Sequence, residues 1–221
     1  MCGRFTREFT WRQVHDFLDL KFPMMDEPPK SWNVAPTQPT PVCVTGPDEP
    51  KHLEMMAWGF VPVWAKEPGA GHINARSETA AEKPTFRDAF AKRRCVVPAS
   101  GFYEWQQIGK AKQPFYVTLA DGPVMAFAGI WEARREGDAE HRGFAILTTD
   151  ANEKLAEVHD RMPVILTRDG ARAWLAGSED PSLLRPCPPG RVELRKVSSR
   201  VNSPKNDDPR LIEEAPPETL F

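Results

Sequence analysis

No run of the 221-residue chain approaches about 18 consecutive apolar residues, the length a helix needs to cross a bilayer, so no membrane-spanning helix is expected. An apolar stretch of the kind that marks a secretory signal is missing from the amino-terminal region as well. The four cysteines form neither a C-x-x-C pair nor any Cys/His ligand spacing, which argues against both a zinc site and a disulfide framework. A reduced, cytoplasmic compartment is the natural reading. Basic excess is lacking too, because 29 Lys and Arg against 31 Asp and Glu leave a net charge of −2. That balance excludes a protein that coats nucleic acid nonspecifically, yet it leaves room for a small basic pocket. With no internal repeat and no low-complexity tract, residues 1–221 read as a single domain long enough for a sizeable core, with 204–221 as a carboxy-terminal tail.

What is present is mostly strand signal. Short aromatic or β-branched runs occur at Pro41–Thr45, Leu53–Phe60, Arg94–Val97, Gly101–Trp105, Pro114–Leu119, Val124–Trp131, Gly143–Thr148, Pro163–Leu166 and Val192–Val197. Turn material such as Gly46-Pro47-Asp48 and Asp121-Gly122-Pro123 separates them. Prolines at Pro28-Pro29, Pro186–Pro189 and Pro216-Pro217 read as surface connectors. Helices are few and short. Thr10-x-x-Gln13 is a capping box ahead of Val14, Phe17 and Leu18, and a second helix is expected from about Thr85 to Arg94. A third is expected to begin at Asp150, with Glu153 in the capping position, and to end before His159; a fourth covers Asp169 to Leu175, stopped by Gly177. Strands outnumber helices and do not alternate with them. The expected fold is therefore α+β, with a curved, mainly antiparallel sheet or open barrel flanked by a few short helices.

The second residue carries the most chemical information. Once Met1 is removed, Cys2 presents an α-amine and a thiol on adjacent carbons, a pair that Cys43, Cys95 and Cys187 cannot offer. Such an aminothiol captures an aldehyde twice, first as an imine and then as a five-membered thiazolidine. An α-amine titrates near ~7.7–8 and a lysine near ~10.4, so the terminus is the better nucleophile at neutral pH. A cation such as Arg4 is expected to pull the thiol pKa down. The plainer alternative is that Cys2 is a small buried hydrophobe.

Three polar clusters stand in apolar surroundings: Asn74–Thr79, Gly101–Trp105 with Glu104 inside an aromatic strand, and His159–Pro163. Each also admits a purely structural role. Glu104 can point to solvent from an edge strand, His159 can sit at a helix terminus, and Arg76 can be a surface ion-pair partner. Burying Glu104 among Phe, Tyr and Trp would cost several kcal/mol unless it is paired or protonated.

Together these residues resemble the SOS-response-associated peptidase (SRAP) family, whose members include proteins that crosslink to abasic sites in single-stranded DNA. The matching motifs run from Met1–Phe5 through Trp32–Pro36, Trp58–Pro62 with Trp64, Ile73–Thr79, Arg93–Pro98, Gly101–Trp105 and Val158–Leu166 to Val197-Ser198, Val201-Asn202 and Lys205-Asn206. Pro204 departs from the expected apolar residue. The resemblance implies that Cys2 is the crosslinking nucleophile, that Asn74 holds the sugar or the amine, and that Glu104 accepts the amine proton or orients the amine. It implies His159 as general acid on the sugar ring oxygen, and Arg4, Arg76 and Arg161 as partners of phosphates flanking the lesion. Asn33 is expected in the same DNA-binding pocket. Trp64 either stacks on a base or packs in the core or against a loop. The implied partner is single-stranded DNA with an abasic site, at the nucleoid, with no metal or organic cofactor and no membrane. About three phosphate contacts give a log–log salt slope near −2. A thiol autopeptidase that removes Met1, and a noncovalent reader of damaged or modified DNA, are the alternatives. His15, His52, His72, His141, Arg134-Arg135 and Lys110-x-Lys112 read as solvated surface.

Overall fold

The computed structural model describes residues 2–21, 29–46, 50–65 and 69–215. Met1, Pro28, the Pro47-Asp48 turn and Pro216-Pro217 lie outside the described residues. The chain opens with β1 (Phe5–Arg7), α1 (Trp11–Leu18), β2 (Ser31–Val34), β3 (Pro39–Val44) and β4 (His52–Trp58). It continues through β5 (Asn74–Arg76), α2 (Ser77–Ala80), α3 (Arg87–Lys92), β6 (Arg94–Ala99), β7 (Gly101–Ile108) and β8 (Ala111–Leu119). The last third holds β9 (Met125–Glu136), β10 (Ala139–Asp150), β11 (Arg161–Pro163), β12 (Ile165–Leu166), α4 (Arg168–Leu175) and β13 (Val192–Lys196).

Two sheets account for these strands. One is five-stranded in the order β13-β8-β7-β1-β2. In the other, β10, β4, β3, β6 and β9 follow one another, and pairing of β9 with β10 closes them into a ring. The barrel expected to be open is thus closed, which removes two strand edges that would otherwise need covering. Most pairings are antiparallel, and β10 runs parallel to β4 and β5. The period-two alternation of the strands divides the core. Val42, Val44, Cys95, Val97, Phe127 and Phe144 face one way and pack with Phe5, Phe102 and Val117 of the five-stranded sheet. Cys43, Val96, Ala128, Ala145 and Leu147 face the other way and receive Trp11 and Val14 of α1, Ala89 of α3 and Trp174 of α4.

The helix signals mostly hold. Thr10 accepts the Gln13 amide while the Gln13 side chain returns to the Thr10 backbone, so the capping box forms. Thr167 caps α4, and Gly177 at φ 81° follows it. The helix expected from Asp150 does not form. Asp150 is the last residue of β10, paired with Arg161, and Asn152 Oδ1 takes the Leu155 N–H at 2.9 Å, so only a single 3-10 turn, Leu155–Glu157, is left. Pairing on both flanks overrides the local helix signal there. The strand expected at Pro163–Leu166 is divided at Val164, whose amide donates to Leu147 and whose carbonyl accepts from Ala128. The stretch read as a tail is anchored by Leu211, which is fully buried against Tyr103 and Val201. No helix among the described residues is long and apolar enough to cross a membrane.

Where β4 meets β10 the backbones touch. A Cβ on Gly143 would lie 2.2 Å from the Gly59 carbonyl oxygen, an atom fixed in the backbone. Gly59 also donates to Phe144 at 3.0 Å, which holds the ring closed beside the connection to β5. Gly143→Ala is expected to destabilise the fold by about 3 kcal/mol, near the upper range for an overpacked site. Gly190→Ala, with no atom within 4 Å of the added carbon, is expected to be near neutral. Urea midpoints of the two variants check this; equal midpoints would refute the clash.

Candidate active site

Three strands bring the amino-terminal residues to the other candidates. In the five-stranded sheet β1 lies between β2 and the central strand β7, with Phe5 opposite Val34 on one side and Phe102 on the other. The Tyr103 N–H donates to the Arg4 carbonyl at 3.0 Å, so the pairing runs on past β1 and carries the chain start toward Glu104. Asn74 opens β5, opposite Ile146 of β10, and its Nδ2 donates to the Cys2 carbonyl at 2.9 Å. That bond fixes the amide orientation, because the flipped form would set two acceptors face to face. Asn74 Oδ1 is then a buried acceptor without a partner among the described residues.

Glu104 is 1% exposed on β7, which rules out the solvent-facing alternative. Burial pushes its carboxyl up from 4.5 to about 7, against the amino-terminal charge and the Trp105 amide, which lower it. A carboxyl poised there exchanges a proton readily at neutral pH. His159 follows the 3-10 turn and precedes β11. Its Nδ1 accepts the Arg161 backbone N–H at 3.0 Å, and Asp160 Oδ1 lies 2.9 Å from the same nitrogen. A neutral ring satisfies the first contact with its proton on Nε2, and a protonated ring turns toward Asp160. Burial, then the amino-terminal charge, lower the His159 pKa, while Asp160 opposes them. The amino-terminal charge therefore acts on Cys2, Glu104 and His159 alike. A cleft of about 330 Å³ is lined by Glu104, Trp105, Lys112, His159 and Asn202.

The thiol differs from expectation. Cys2 is fully buried, and burial, then Glu104, push its pKa well up, against the amino-terminal charge and a long contact to the Arg4 carbonyl. Arg4 does not lower it, because its guanidinium turns away to Asn33 Oδ1 at 2.9 Å, the Val201 carbonyl at 2.8 Å and the Asn202 carbonyl at 3.3 Å. Asn33, expected to contact DNA, is 1% exposed. Its Nδ2 donates to the Val201, Ser203 and Asn206 carbonyls. Arg4 and Asn33 thus pin the segment that brings Asn202 into the cleft, where Asn202 Oδ1 accepts Trp105 Nε1–H at 2.7 Å.

Arg161 is likewise engaged within the fold. It is 8% exposed, forks onto both Glu78 oxygens at 2.7 and 2.8 Å, and reaches Asp150 at 2.6 Å and the Thr148 carbonyl at 2.7 Å. It ties α2, β10 and β11 together and holds the Glu78 carboxyl below its usual range. Arg76, in contrast, is exposed. Trp64 is 63% exposed, so it is no core residue. Lys112, read from the sequence as part of a solvated turn, is exposed on β8 and lines the cleft, as does Asn202, which carries no role in the sequence reading. No group of three His, Cys, Asp or Glu side chains among the described residues could hold a metal ion.

With this geometry in place, comparison with known proteins is decisive. The model of the SOS response associated peptidase (SRAP) family matches residues 1–204. The chain belongs to that family. Among SRAP relatives, the abasic site processing protein YoqW of Bacillus subtilis is 39% identical over 224 residues, covering 96% of this chain and 99% of that protein. The abasic site processing protein YedK of Escherichia coli is 33% identical, with the same coverage. HMCES of Gallus gallus, also named an abasic site processing protein, is 32% identical over 82% of this chain and 65% of its own length. A solved protein structure from Bacteroides thetaiotaomicron superposes with a TM-score of 0.82 at 28% identity, over 97% of this SRAP chain and all of that one.

Proposed function

We propose that the chain recognises abasic sites in single-stranded DNA and joins them covalently through Cys2. The names of its relatives support the lesion, and the convergence of Asn74, Glu104 and His159 on Cys2 supports the chemistry. One observation carries the reading: Asn74 grips the Cys2 carbonyl at 2.9 Å while its second polar atom, a buried acceptor, has no partner among the described residues. That acceptor suits an α-amine or a sugar hydroxyl, both donors.

In this scheme Met1 is first removed, leaving the amine on Cys2. His159 protonates the ring oxygen of the closed sugar as the anomeric hydroxyl gives up its proton to water, and the ring opens to the aldehyde. Glu104, as carboxylate, takes a proton from the α-ammonium. The free amine adds to the aldehyde carbon, and loss of one water gives the imine. The raised thiol pKa sets the order, since a protonated thiol is a poor first nucleophile. An iminium beside it favours the thiolate, which attacks the same carbon and closes the thiazolidine. The sum is aldehyde plus aminothiol giving ring plus water. The carbonyl that would drive β-elimination is gone, so the strand is shielded from breakage. Exposed Arg76 and Trp64 provide a phosphate contact and a stacking platform at the DNA surface.

The purified protein is expected to lack Met1 by intact mass and to leave a shifted band when incubated with an abasic single strand and heated in denaturant. Complete release of the DNA on heating would reduce the protein to a noncovalent reader. A second reading, self-removal of Met1 by the same groups, is favoured by the amino-terminal charge that lowers the Glu104 pKa.

A further inference from the structure

β7 and β8 are joined by a two-residue turn, Gly109-Lys110, fixed by pairing of Ile108 with Ala111 and by the positive φ of Gly109 at 58°. The register then sets Lys112 opposite Gln107, and Pro114 opposite Trp105. Directly paired residues share a face and alternate along the strand, so Lys112 and Trp105 stand on one side of the hairpin. This end of the hairpin contributes Glu104, Trp105 and Lys112 to the cleft that His159 and Asn202 also line. The Lys112 side chain is exposed, and no hydrogen bond or ion pair engages its ammonium among the described residues. Its charge reaches His159, where it adds to burial and the amino-terminal charge in lowering the ring pKa. Two of the three arginines expected at phosphates are otherwise engaged, Arg161 by carboxylates and Arg4 by backbone carbonyls.

We propose that Lys112 is a DNA-backbone contact of this cleft, pairing with a phosphate next to the lesion sugar. The inference rests on the function proposed above. A sugar seated between Glu104 and His159 carries a phosphate on each side, and an ammonium on the cleft wall meets an anion there without strict geometric demands. The contact would also give a chain of net charge −2 a local attraction for DNA at the reacting group.

The test uses a Cys2→Ala background, which cannot close the adduct, and a single strand with a stable abasic analogue, titrated by fluorescence anisotropy from low to high KCl. Lys112→Ala is expected to flatten the log–log salt slope by about 0.7, the share of one phosphate on a single strand. Lys112→Arg should keep the parent slope, and Lys112→Glu should weaken low-salt binding at least tenfold. A parent slope in Lys112→Ala, with the heat-stable adduct of the wild-type chain intact, overturns the lysine's role alone. Failure of the wild-type chain to form that adduct removes the reading beneath it.

Discussion

Cys2→Ala is expected to abolish the heat-stable adduct with an abasic strand, and Cys2→Ser to leave one that survives only after borohydride treatment. Both expectations follow from which bond each side chain can make. Alanine keeps the α-amine, so the imine still forms, but an imine exchanges with water and is lost on heating. Serine offers an oxygen in place of sulfur, a weaker ring-closing nucleophile, and reduction is needed to fix its carbon–nitrogen bond. The predicted loss in Cys2→Ala is complete on a denaturing gel. The side chain is fully buried at the edge of the core, and removing one sulfur there costs stability of about 1 kcal/mol, too little to unfold the protein. A denaturing gel that shows Cys2→Ala equal to the wild-type chain would refute the thiazolidine.

Glu104→Gln is expected to slow adduct formation by about 10²–10⁴-fold, the range for a lost general base. Its pH profile separates a proton-transfer role from a packing role. Because the scheme needs Glu104 ionised and His159 protonated, the wild-type rate should trace a bell in pH, and the glutamine variant should lack the inflection contributed by the buried carboxyl. Stability moves the opposite way. A carboxyl whose folded pKa is raised favours the fold most below its usual 4.5, and that contribution is lost as pH rises through about 7. The glutamine variant should therefore gain thermal stability relative to the wild-type chain between pH 5 and about 8. A variant that keeps the inflection would move the base elsewhere. Glu104→Gln, made in a host without methionine aminopeptidase, should retain Met1 if the site also trims itself, whereas the wild-type chain should lose it.

Nine strand segments were legible as aromatic and β-branched runs because their side chains fill the two faces of the core. The missed strands, β1, β2 and β5, are three or four residues long and carry Asn33, Asn74 and Arg76. Their pairing partners lie tens of residues away, so no local periodicity announces them. Asp150 misled in the other direction, since pairing with Arg161 on a neighbouring strand outweighed a short capping signal. Cys2, Asn74, Glu104 and His159 could be named from the motifs of the resemblance. Which arginine faces outward could not, because an arginine beside Glu78 and Asp150 reads the same as one awaiting a phosphate until the fold brings the carboxylates to it. Lys112 was within reach, since the Gly109-Lys110 turn fixes the hairpin register and hence the face it occupies.

The depth of Cys2 has a consequence for the lifetime of the protein. A thiol kept protonated and away from solvent resists peroxide and alkylating agents, which attack the accessible thiolate. Under the proposed scheme, a molecule that acts on a single lesion would thereby stay competent during long idle periods, its warhead armed only when a sugar aldehyde arrives to engage the neighbouring nitrogen.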